Sequence, residues 1–200
     1  DSSNNNTILD SEITDVDYGI YLGSSSNNNT FMNNLISDNN HGIWISSDNN
    51  QISYNHILNN TASSLPSSGG IYLTAGASGN EIHCNDIVGN SPEGSDSYGI
   101  YNEAPETVNA TNNWWGADDG PSDVGTGHGD AVSENVGYDP WLPREFQYCP
   151  ECGGSPPPPP PSPPMVPTMN LWGIVAMIIL FTGLLVWAVR RKRLASWTSN

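Results

Sequence analysis

The side chains able to do chemistry in this 200-residue chain are few in kind and scattered in position. The histidines His41, His56, His83 and His128 occupy non-equivalent places, so they form no set with metal-ligand spacing. Asp10, Asp38, Asp48, Glu81, Asp86 and Glu103 include possible pairs for glycoside hydrolysis, which needs two carboxyl groups about 5–10 Å apart. No position recurs with an obvious partner, and acids in turns are more often solvated or structural than catalytic. Asp118, Asp119, Asp123 and Asp130 lie among glycines, where carboxylates and main-chain carbonyls could hold Ca2+. The competing reading is a turn-rich cap with Asp in Asx-turns. No other cofactor is expected.

Two further sets stand out. Cys149-Pro150-Glu151-Cys152 is a CxxC with no second pair and no nearby His pair to complete a zinc site. In an oxidising compartment it predicts a local Cys149–Cys152 disulfide, with metal binding or redox catalysis as the alternative. Tyr21, Trp44, Tyr72 and Tyr101 each follow a Gly-Ile pair. One step from an inward Ile, they are expected to point outward on one face as an aromatic ladder. Such a strip would either stack on a carbohydrate or simply stabilise the sheet beneath it.

The charge narrows the partners. Formal net charge is −16, and 21 acidic residues precede the C-terminal basic cluster with only Arg144 to offset them. Nucleic acid is excluded, because its binding depends on Lys and Arg meeting phosphates. A proton-abstracting Lys or Arg of the lyase kind is also missing, since no Lys or Arg precedes Arg144.

The elements that must position these groups come from repetition. The template N-x-I-x-x-N-x-I-x-x-N runs from Asn29 to Asn39, with Phe31 at its first apolar place, then from Asn50 to Asn60 and from Asn80 to Asn90. A degraded copy begins at Asn6. Each copy is followed by a Gly-Ile-aromatic signature at Gly19, Gly42, Gly70 and Gly99, spaced 23, 28 and 29 residues apart. The apolar residues keep strand-like spacing, with no 3.6-residue period. One copy cannot bury its own apolar face, but copies stacked at about 4.8 Å form a continuous core. Asn at equivalent turns would then form hydrogen-bonded ladders through Asn34, Asn55, Asn85 and Asn113, and through Asn39, Asn60 and Asn90. The fold class predicted is all-β, a parallel β-helix, with insertions at 61–68 and 91–97 on one face.

At this point the residues resemble a known family, the NosD-like, parallel-β-helix-repeat kind of right-handed β-helix. The likeness covers roughly 4–142. Its sharpest part is Asn112-Asn113-Trp114-Trp115-Gly116, continuing through Gly120-Pro121 and Gly129-Asp130 to Asp139-Pro140-Trp141-Leu142, similar to the segment that closes such helices. Trp115 is in register with the template and is expected to cover the end of the Ile stack, with the Gly/Asp-rich segment folded over the last coil. The copper role associated with NosD-like domains is not carried over, since fold likeness is no warrant for function.

The remainder changes character. Residues 1–142 form the β-helix with its cap, and 143–167 a stalk rich in proline that favours extended polyproline II structure. Residues 168–193 hold a sorting signal, a transmembrane helix and a basic stop, followed by a cytoplasmic tail at 194–200. The uncharged run Leu171–Val189 has 19 residues, enough to span a bilayer core of about 30 Å. Arg190, Arg191, Lys192 and Arg193 follow it and place the tail inside and the β-helix outside. Val166, Pro167, Thr168, Met169, Trp172 and Gly173 resemble the bacterial IPTL-CTERM signal, with Val166 and Met169 as conservative departures. That resemblance implies an exosortase-type protease as partner and a surface destination, the tail being either cut or kept as an anchor.

The expected function is an exported, non-catalytic surface module for structure, adhesion or glycan binding. The alternative is the distal part of a carbohydrate-active enzyme whose catalytic coils lie upstream. An acid pair flanking an aromatic-lined groove would favour the alternative.

Overall fold

The computed structural model describes residues 3–61, 69–92 and 97–155. Each repeat copy forms one coil of three short strands. The first coil holds β1 (Thr7–Leu9), β2 (Glu12–Thr14) and β3 (Tyr18–Leu22); the second holds β4 (Thr30–Met32), β5 (Leu35–Ser37) and β6 (His41–Ile45). The third holds β7 (Gln51–Ser53), β8 (His56–Leu58) and β9 (Ile71–Leu73); the fourth holds β10 (Glu81–His83), β11 (Asp86–Val88) and β12 (Ile100–Asn102). Every strand pairs in parallel with its equivalent in the next coil, which yields three sheets wound as a parallel β-helix.

Register stacks like on like. Ile8, Phe31, Ile52 and Ile82 align in the first sheet, Ile13, Ile36, Ile57 and Ile87 in the second, and Ile20, Ile43, Ile71 and Ile100 in the third. In the inner coils these side chains are fully buried. Each contributes about 1.5–3 kcal/mol relative to exposure.

The corners explain the asparagines. At the first-to-second-sheet corner, Asn33, Tyr54, Cys84 and Asn112 take φ between 56° and 59°, a left-handed conformation that turns the chain sharply. The Asn that follows then points inward. Asn55 Oδ1 accepts both the main-chain N–H and the Nδ2 of Asn34 at 3.0 Å, and Asn85 serves Asn55 in the same way. Both expected ladders form, so the buried turn groups are satisfied. A third, through Asn6, Asn29, Asn50 and Asn80, was not anticipated. Its asparagines open each copy of the template and read in sequence as turn residues alone.

The closing segment differs from expectation. It is a fifth, irregular coil rather than a flap over the fourth. β13 (Val108–Asn109) and β16 (Val136–Gly137) extend the first sheet, and Trp114 bridges to Asp86 of the second. β14 (Pro121–Asp123) and β15 (Gly129–Val132) extend the third sheet, with β14 outermost. Pro121 opens that edge strand and removes a donor that another strand could use. Trp115 is wholly buried in the core at the end of the stack, as its register predicts, with no hydrogen-bond partner for its Nε1–H.

Residues 143–155 do not leave the coils as a linker at 143. Phe146 sits edge-on to Tyr54 at 5.9 Å and tilted against His56 at 5.1 Å, and its N–H donates to Asp86 Oδ1 at 2.9 Å. Cys152 is disulfide-bonded to Cys84, which corrects the expected Cys149–Cys152 pairing. The left-handed backbone at Cys84 turns this corner of the coil, and the 3-10 turn Pro150–Cys152 brings Cys152 to it. Cys149 is buried instead, its thiol donating to the Arg144 carbonyl at 3.3 Å.

Among the described residues no helix is long and apolar enough to cross a membrane. The proline run, the sorting motif, Leu171–Val189 and the basic cluster lie outside the described residues, as do most of the two insertions. The ends of both insertions meet the coils at one corner, between β8 and β9 and between β11 and β12.

Candidate functional site

The third sheet carries the aromatic row. Tyr21, Trp44, Tyr72 and Tyr101 share one register position, the first three between two core residues and Tyr101 between Ile100 and the buried Asn102. Trp44 stacks on Tyr72 with ring centroids 4.1 Å apart, and Tyr72 on Tyr101 at 5.6 Å and 4°. Face-to-face packing along the coil axis has a cost for recognition. Tyr72 is 2% exposed, so its ring faces are spent on its neighbours. Burial and the Glu103 carboxylate, which accepts from its hydroxyl, push the Tyr72 phenol well above its ordinary value and keep it a donor. The row is therefore not an open strip over its whole length.

It opens at its C-terminal end. Ile100 pairs with Val132, so the rung beyond Tyr101 carries Ser133 at the aromatic position. Ser133 Oγ accepts the Asn102 N–H at 2.8 Å and is too small to cover the ring. Where the next aromatic would stand, a groove of about 510 Å³ opens, bounded by Tyr98, Tyr101, Glu103, Asp123, Ser133 and Glu134. Tyr98 meets Tyr101 at 5.1 Å and 63°, making a second wall. Glu103, Asp123 and Glu134 are exposed.

Tyr98 occupies a second aromatic position, interrupted by Gly69 in the third coil, that sequence reading missed. Tyr18 is in register with His41 and stacks on it at 4.8 Å, and Tyr98 has the equivalent place two residues before Ile100. The available signal was Tyr-Gly-Ile-Tyr, present at both Tyr18 and Tyr98.

The remaining candidates are dispersed. Asp10 and Asp38 turn corners with positive φ, and Asp48 accepts from the Ser78 N–H at 2.9 Å. Glu81, His83 and Thr111 form a line that looks like a nucleophile relay, with His83 Nε2 2.6 Å from Glu81 Oε2 and Nδ1 3.3 Å from Thr111 Oγ1. Yet Nδ1 also lies 3.0 Å from the Thr111 carbonyl, and Thr111 Oγ1 donates to Asn109 Oδ1 at 3.1 Å. The Thr111 hydroxyl is thus turned toward Asn109 and shares Nδ1 with a main-chain carbonyl, so the line is not arranged as a nucleophile and its base.

The four cap aspartates do not converge either. Asp119 pairs with His128, which raises that imidazole and lowers the carboxyl. The Asp118 carbonyl accepts from Trp141, and Asp123 borders the groove. Asp130 is buried at the end of an Asn ladder. Among the described residues no group of three or more His, Cys, Asp or Glu could hold a metal ion.

With this geometry in place, a family model described as the right-handed β-helix region matches residues 1–114. The chain belongs to the right-handed β-helix family. Neither the curated proteins nor the solved structures provide a match. For a right-handed β-helix of this kind, family membership fixes the scaffold, and function must be argued from the groove itself.

Proposed function

We propose that the chain is an exported, non-catalytic surface module that binds polysaccharide through the groove where its aromatic row ends. The observation that carries this is the half-buried ring of Tyr101, which lines the groove beside Ser133. A tyrosine ring fixed from behind by a stacked neighbour is a rigid apolar platform, ordered before the ligand arrives, and such preorganisation limits the entropy lost on binding. Export and anchoring rest on the sequence of the tail, from Val166 through the apolar run Leu171–Val189 to Arg193, and on its IPTL-CTERM likeness. An exosortase-type protease is the implied partner. The resemblance to NosD-like repeats supports the scaffold and adds no copper role.

The enzyme reading draws on the same groove, because acids do flank its aromatic wall. Glu103, Asp123 and Glu134 are all exposed, without the apolar enclosure in which a carboxylic acid is kept protonated for leaving-group chemistry. Binding is the better fit.

A glycan array probed with the full chain tests the reading, beside Tyr101→Ala and Tyr21→Ala. Loss of binding with Tyr101→Ala alone supports the groove. Equal loss with Tyr21→Ala would move the site to the whole row, and no binding by the parent chain would sink the glycan reading.

A further inference from the structure

We infer that the groove selects polysaccharides carrying free amino groups, that is, polymers of de-N-acetylated hexosamine. This rests on the glycan-binding reading above and names its ligand class. Three carboxylates, Glu103, Asp123 and Glu134, border the space beside Tyr98 and Tyr101. No cation faces them: the single Lys or Arg among the described residues is Arg144, in the strap that packs Phe146 over the second sheet. The groove is thus a negatively charged slot with an aromatic wall and no internal counter-ion.

Each glycan class meets this slot differently. Uronic-acid and sulfated chains would bring anions beside three uncompensated carboxylates, a repulsion that excludes them. Neutral chains gain ring stacking alone. An amino sugar gains stacking of its apolar C–H face on Tyr101 while its ammonium reaches a carboxylate, a charge-assisted hydrogen bond of the stronger kind. An ammonium beside the open ring gains cation–π attraction too.

The test uses the full chain in detergent and isothermal titration with two hexamers of equal length, β-1,4-linked glucosamine and its fully N-acetylated form. The expected result is at least about ten-fold tighter binding of the free amine, a ratio that shrinks as salt screens the exposed carboxylates. Glu103→Gln with Glu134→Gln should bring the ratio close to one. Glu12→Gln with Asp15→Asn, the same charge change on the first coil, should leave it intact. Equal binding of both hexamers would overturn the amino-sugar class and leave the glycan reading standing. An equal effect of the two double variants would overturn the groove's selectivity in favour of general attraction to an acidic surface. Binding of neither hexamer, with other glycans retained, would overturn the class alone; no binding of any glycan would overturn both.

Discussion

Asp130 Oδ2 accepts both the main-chain N–H and the side-chain amide of Asn90 at 2.8 Å, the double contact that each ladder Asn makes with the next. Its other oxygen accepts from the Gly89 N–H at 3.0 Å and from Ser91. The column Asn39, Asn60, Asn90 therefore ends on a group that only accepts, as the last rung of a donor-to-acceptor series requires. Burial raises the carboxyl's pKa, while these donors act against that. Asp130→Ala should cost about 2–4 kcal/mol in urea unfolding, since it strands several buried donors. Asp130→Asn should cost less, because an amide oxygen serves Asn90 as it does on every other rung, though its Nδ2 then meets the Gly89 N–H.

The disulfide closes a loop with a sequence separation of 68. On the chain-entropy account, Cys152→Ser should cost about 4 kcal/mol, read as a lower unfolding midpoint. Non-reducing peptide mapping should recover Cys84 joined to Cys152. Burial lifts the Cys149 thiol, so iodoacetamide should label it only after denaturation.

His56 Nδ1 lies 2.9 Å from Asp86, whose side chain is 3% exposed. The hydrogen bond to Asp86 raises the imidazole, burial works against it, and Glu145 adds a smaller push upward. For a raised His, the stabilisation is complete below its ordinary value of 6.5 and is lost as pH rises through the folded value. Thermal midpoints measured between about pH 5.5 and about pH 8.5 should therefore fall toward the alkaline side. His56→Gln should flatten that slope. An unchanged slope would mean that the exposed His128–Asp119 pair, or another group, sets it.

Gly70 lies where two coils come closest. A Cβ there would collide with the Gly99 carbonyl oxygen, which belongs to the next rung. Main chain cannot yield as a flexible side chain does, so Gly70→Ala should separate the third and fourth coils. Its midpoint should drop by several degrees, whereas Gly76→Ala, with open space around it, should change little.

Most of the scaffold was legible because repetition multiplies a weak signal. A single Asn-x-Ile says little, whereas Asn34, Asn55 and Asn85 at matched places specify corner, strand and ladder together. The site was only half legible. Alternation placed Tyr72 and Tyr101 on one outward face, but stacking hides one and frees the other. That difference depends on Ser133, which lies outside the template, and on register across the irregular fifth coil. The Cys84–Cys152 bond was hidden for a related reason. Proximity within a CxxC is visible in sequence, and the return of residues 143–155 onto the second sheet is not.

The Asn columns have a direction. In each, Oδ1 accepts from the N-terminal coil and Nδ2 donates to the Oδ1 of the C-terminal one, while in the columns of Asn34 and Asn39 the same Nδ2 also donates back to a main-chain carbonyl of the coil before. Every Oδ1 in the three rows thus serves the coil before it, and each rung needs an acceptor from the coil after it. The order of acceptor and donor along a column thus sets what its last rung must be, as the free N–H groups do at the start of an α-helix. A carboxylate is favoured at a helix's start and here is favoured at the finish, where Asp130 stands.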